Sequence, residues 1–107
     1  MTSIFAFCRG ITHLDVSSCA LVHGDELCKL LRNHAPNLIA LDMFRVQNLT
    51  ARGVFHLANI EKLQELDVGW CNSIDYSTGC VVELIQNCAE MRKLFLTAHR
   101  QTSGEYD

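Results

Sequence analysis

The chain has 107 residues, 49% of them apolar and 20% charged, with a formal net charge of −3. That length suits one compact unit, and the composition is that of a globular chain, not a disordered one. No basic block occurs, which argues against a nucleic-acid or anionic-membrane surface, and no apolar stretch is long enough to span a bilayer.

In chain order, Met1, Thr2 and Ser3 offer no positive region, and Arg9 follows the first apolar residues instead of preceding them, so no signal peptide is expected. Ile4, Phe5 and Phe7 read as the last turn of a helix, with Cys8 three residues ahead of Ile11. Ile11, Leu14 and Val16 mark a first strand, since alternation at period two places one side toward a core. A helix is predicted next, capped by Asp25, with Leu27, Leu30 and Leu31 as its inner stripe. Leu38, Leu41 and Met43 mark a second strand, and Thr50 is placed to cap a helix over residues 53–58. Leu63, Leu66 and Val68 mark a third. Ser77 or Thr78 is placed to cap the helix after it, which is expected to bury Val81, Val82, Leu84 and Ile85. Met91, Leu94 and Leu96 mark a fourth strand, which stops in a polar tail.

The four strand patterns begin at residues 11, 38, 63 and 91, a recurrence of 25 to 28 residues that falls within the range of leucine-rich repeats. Five residues beyond each central leucine stand Cys19, Val46, Cys71 and His99, where such repeats turn the chain inward. Val46 and His99 replace the usual Cys or Asn there, which is expected to loosen those turns. No single strand–helix unit can bury its own apolar face, so stacking must make the core. The expected architecture is an α/β leucine-rich-repeat solenoid, an arc with a parallel sheet on the concave side and helices on the convex side. One domain, 1–107, would hold three full repeats, about 11–37, 38–62 and 63–90, with partial repeats at both ends, as in a fragment of a longer repeat protein.

Leu66 to Cys71, with Gly69 and Trp70, and Leu49 to Val54 resemble the cysteine-containing repeats of the F-box/leucine-rich-repeat family. The more specific stretches of that resemblance are Leu63 to Cys71 with Ser77 to Cys80, then Lys93 to Arg100. The resemblance implies the substrate-binding part of a receptor in a Skp1–cullin–F-box ubiquitin ligase, located in the cytoplasm or associated with the nucleus or an organelle surface. In that family the repeat arc holds the protein to be ubiquitylated and the F-box holds the Skp1-type adaptor. No F-box-like segment is read in this sequence, so adaptor contact is not expected from it alone. The alternative is a free-standing scaffold or inhibitor of the ribonuclease-inhibitor-like kind.

The non-core strand positions should line the concave face: His13, Asp15 and Ser17; Ala40, Asp42 and Phe44; Glu65, Asp67 and Gly69; Lys93, Phe95 and Thr97. Trp70 stands on the rim. Phe44, Trp70 and Phe95 are the large, rigid side chains that protein-binding hot spots favour. Asp15, Asp42 and Asp67 share one position in successive repeats and should form a row roughly 5 Å apart. A cation site, an acid/base pair and a strip for a basic partner are all open to such a row, as is a plain polar face. Repulsion of about 1 kcal/mol per solvated pair requires no compensation. With no nucleophile placed to complete a triad, catalysis is not expected, and neither is a metal or cofactor. The six cysteines show no CxxC pair, and equivalent positions two repeats apart are too distant to bridge. Buried free thiols are expected.

Overall fold

A computed structural model describes residues 8–96. The strands are β1 (His13–Asp15), β2 (Ala40–Asp42), β3 (Glu65–Asp67) and β4 (Lys93–Phe95). Between them run α1 (Gly24–His34), α2 (Ala51–Leu57) and, after a 3₁₀ turn at Tyr76–Thr78, α3 (Cys80–Asn87). The expected helical turn at residues 4–7, Thr97, the His99 turn and the polar tail lie outside the described residues.

The strands form one sheet in the order β1-β2-β3-β4, and every neighbouring pair is parallel. The register puts Leu14, Leu41, Leu66 and Leu94 side by side. Each central leucine points into a core shared with the helices. Leu41 and Leu66 are buried, whereas Leu14 and Leu94, on the outer strands, are half-buried. Leu31 of α1, Val54 and Leu57 of α2, and Leu84 of α3 close the core from the other side. This small α/β unit is compatible with a leucine-rich-repeat fold.

The backbone repeats its hydrogen bonds as faithfully as the sequence repeats its leucines. Before each strand a turn closes onto the residue three positions back: Ile11 onto Cys8, Leu38 onto Ala35, Leu63 onto Ile60, Met91 onto Cys88, at 3.0–3.2 Å. After the first three strands a second turn closes Cys19 onto Val16, Val46 onto Met43 and Cys71 onto Val68. The residue ahead of each closing N–H has positive φ: Ser18 at 58°, Arg45 at 64° and Trp70 at 61°. A non-glycine residue in that region costs roughly 1–2 kcal/mol, held here by the ladder bonds around it. Val46 does not loosen its turn: its closing bond is 3.1 Å, equal to that at Cys19, and the side chain is buried.

The helices correct several expectations. Asp25 does not cap α1; the cap is His23, whose Nδ1 accepts from the Glu26 N–H at 3.5 Å, while Asp25 lies within the first turn. Thr50 caps α2 as expected, accepting from the Arg52 N–H at 3.2 Å. The cap position of α3 is Gly79, with φ 81°, so neither Ser77 nor Thr78 stands there, although Thr78 Oγ1 accepts from the Cys80 N–H at 3.3 Å. The buried stripes are also narrower than expected. Leu30 is 39% exposed, Val82 59% and Ile85 51%, because Cys28 and Cys80 take the inward positions instead. All six cysteines are free thiols, and Cys28, Cys71, Cys80 and Cys88 are buried.

Candidate functional site

The strands bring their outward side chains into two parallel rows. One row runs His13, Ala40, Glu65, Lys93; the other runs Asp15, Asp42, Asp67, Phe95. Together with the leucines between them they line a groove of about 350 Å³. Ala40 leaves the shallowest side chain of its row, and Lys93 stands in register beside Glu65. The aspartate row ends on Phe95, which is 45% exposed.

Each aspartate has a local role that spacing alone does not show. Oδ1 of Asp15 accepts the Ser17 N–H at 2.9 Å, Oδ1 of Asp42 the Phe44 N–H at 3.0 Å, and Oδ1 of Asp67 the Gly69 N–H at 2.9 Å. These donors sit just past the strand ends and alternate with N–H groups that still bond the next strand's chain, Ser18 to the Phe44 carbonyl and Arg45 to the Gly69 carbonyl. Their own acceptor therefore comes from a side chain. Short acidic side chains two residues back are suited to this task. The bond from the Ser17 backbone, followed by that from its side chain, holds the Asp15 carboxyl below the ordinary aspartate range. The row thus fastens three turns while presenting carboxylates to the groove.

Of the expected site residues, His13, Asp15, Asp42, Glu65, Asp67, Lys93 and Phe95 line the groove. Ser17, Phe44 and Trp70 stand apart from it, on the turns past the strands. Ser17 and Phe44 are half-buried, and Gly69, expected on the face, is buried. Trp70 is 37% exposed and carries the Arg45 guanidinium 5.4 Å from its ring centroid. Arg45 escaped notice in the sequence. The signal was there: Arg45 and Trp70 follow their central leucines by the same interval, so the register must set them side by side.

Among the described residues no group of three or more His, Cys, Asp or Glu is placed to hold a metal ion, and no helix is long and apolar enough to cross a membrane. The buried thiols serve the fold. Cys71 donates to the Met43 carbonyl at 3.1 Å and Cys88 to the Ile60 carbonyl at 3.2 Å, each reaching the preceding strand–helix unit.

No family model matches the chain. Against curated proteins it is 36% identical over 102 residues, 94% of its length, to F-box/LRR-repeat protein 4 of Bos taurus. It spans only 16% of that protein. Over nearly all of its own length, therefore, the chain is a relative of the F-box/LRR-repeat family.

Proposed function

We propose that these residues form a segment of a leucine-rich-repeat solenoid, with repeats at about 11–37, 38–62 and 63–90 and partial repeats on either side, whose concave strand face holds a protein partner. In the context of its relative, the segment is part of the substrate-binding region of a Skp1–cullin–F-box ubiquitin ligase receptor acting in the cytoplasm. Adaptor contact belongs to the F-box of such receptors. The role of this segment is to hold and position; the chemistry is left to a separate enzyme.

The observation that supports this reading is the groove itself. Four carboxylates, Asp15, Asp42, Asp67 and Glu65, share it with one lysine and an exposed phenylalanine, so its charge favours a basic segment and Phe95 offers an apolar anchor. The partner class that fits is a protein presenting lysine or arginine side chains beside an apolar one.

The test compares the native chain with a Glu65→Ala, Phe95→Ala variant in affinity capture, once circular dichroism shows both folded. A partner held by the native chain and lost by the variant supports recognition through this face, and co-recovery of ubiquitin-ligase subunits supports the receptor context. Equal recovery by both proteins would reject the strand face as the binding surface.

A further inference from the structure

A second groove, about 520 Å³, opens on the helix side. Arg32 of α1 and Arg52 and His56 of α2 line it on one side, and Asp75 and Glu83 line it from the 3₁₀ turn and α3. Phe55, half-buried, adds an apolar surface. An Arg32 guanidinium nitrogen donates to His56 Nδ1 at 3.2 Å, which requires that nitrogen to be unprotonated. Among the described residues, no ion pair neutralises Lys29, Arg32 or Arg52. Asp25, whose charge reaches His56, is already committed to the N–H and hydroxyl of Thr50.

We propose that this groove binds a phosphate monoester carried on a protein segment, the dianion bridging Arg32 and Arg52 beside His56. Guanidinium groups suit phosphate because they offer paired, charge-assisted donors. Arg32 and Arg52, with Lys29 nearby, put two to three positive charges on their side of the groove, enough to meet a dianion there while Asp75 and Glu83 stand opposite. Asp75 and Glu83 decide the carrier. An anionic bilayer would meet their repulsion, whereas a peptide can turn its own N–H groups or a basic flank toward them. Asp75 is also held by Ser77, whose N–H and hydroxyl donate to Oδ1 at 3.0 and 2.6 Å.

The site couples to a proton. Burial first, then Arg32, Lys29 and Arg52, hold His56 below the ordinary histidine range, with Asp25 opposing them. An anion between the arginines reverses that balance. Arg32 turns to the phosphate, and Nδ1 takes a proton from solvent. The helix-side groove shares no residue with the strand-face groove, so binding at one does not require binding at the other.

The test uses the full 107-residue chain and a short phosphoserine peptide, acetyl-Gly-phosphoSer-Gly-amide, followed by NMR of the His56 ring. Binding should raise the His56 pKa by about one unit, a tenfold coupling. Arg32→Gln and Arg52→Gln should each weaken binding by about fivefold or more, and Arg92→Gln, ahead of β4, should not. His56→Gln should still bind, but with less pH dependence than the native chain between about pH 5.5 and 7. The difference between the two proteins removes the ligand's own ionisation near pH 6. An unphosphorylated peptide or sulfate at matched ionic strength that moves His56 equally would overturn the proposal, as would no movement at millimolar peptide. Inorganic phosphate binding as tightly as the peptide would overturn the protein-borne carrier.

Discussion

The Asp25 carboxylate on α1 accepts two hydrogen bonds from Thr50, one from the backbone N–H at 2.8 Å and one from the hydroxyl at 2.6 Å. The same hydroxyl oxygen accepts from the Arg52 N–H at 3.2 Å, so one side chain caps α2 and fastens it to α1. Thr50→Val keeps the shape and removes both contacts of the hydroxyl. The expected loss is about 1–3 kcal/mol, from a missing cap and a weakened charge-assisted bond. Thr50→Ser should recover most of it. Urea unfolding reads the difference as a lower midpoint at unchanged slope.

Two glycines set how closely neighbouring units pack. A Cβ at Gly53 would stand 2.5 Å from Asp25 Oδ1 and 2.5 Å from Leu49 Cδ1, and one at Gly24 would stand 2.6 Å from Leu49 Cβ and 2.8 Å from its Cα. Both glycines are helical, where alanine ordinarily gains about 1 kcal/mol. The prediction is the opposite sign: Gly53→Ala destabilises by about 1–3 kcal/mol through overpacking. Gly24→Ala should cost more, because the atoms it meets include backbone, which cannot swing aside. Stabilisation by either substitution, measured by thermal unfolding, would show that the units can move apart without cost.

These contacts also mark how far the sequence could be read. The leucine period carried the four strands and their order, because a recurrence near 27 residues admits few ways to bury its apolar face. The same pattern overstated the helices. Leu30, Val82 and Ile85 fit a helical stripe on paper, yet the inner face of a helix pressed between neighbours takes small thiols at Cys28 and Cys80. Asp25 satisfied every local rule for a cap, but tertiary context drew it to Thr50 instead. The aspartate row was legible as a row. Its bonds to Ser17, Phe44 and Gly69 were not, since they depend on which N–H groups the strand pairing leaves over. The helix-side groove has no period at all, because it is assembled from α1, α2, α3 and the turn before α3.

The buried thiols tie stability to pH. Burial, followed by the charge of Glu61, pushes Cys88 up from 9.0 to about 11. Burial raises Cys28 and Cys71 as well. The native thiols keep their protons where the unfolded chain releases them. The thiols' contribution to stability is therefore complete below about pH 9 and falls as pH rises from there toward 11. Tyr76, pushed up to about 12 mainly by burial, adds to the loss only above its ordinary 10. Urea midpoints between pH 8 and 10 should decline in the native chain and decline less steeply in Cys88→Ala, whatever that variant's overall stability. Parallel slopes would mean that Cys88 reaches solvent without unfolding.

The two tasks of the aspartate row can be separated at Asp42. Its Oδ1 closes the turn at Phe44, and an asparagine retains an acceptor in the same place. Asp42→Asn should thus leave stability within about 0.5 kcal/mol of native, while Asp42→Ala, which leaves the Phe44 N–H without that acceptor, should cost about 1 kcal/mol. Binding of a basic partner follows the charge instead. Asn and Ala should weaken it alike, by a factor that shrinks as salt rises, because the interaction is screened over about 8 Å at physiological ionic strength. Stability and affinity measured on the same two variants then give four results with one required pattern. If Asn binds as the native chain does and only Ala fails, the row serves the turns alone and the groove recognises its partner through Phe95 and Glu65.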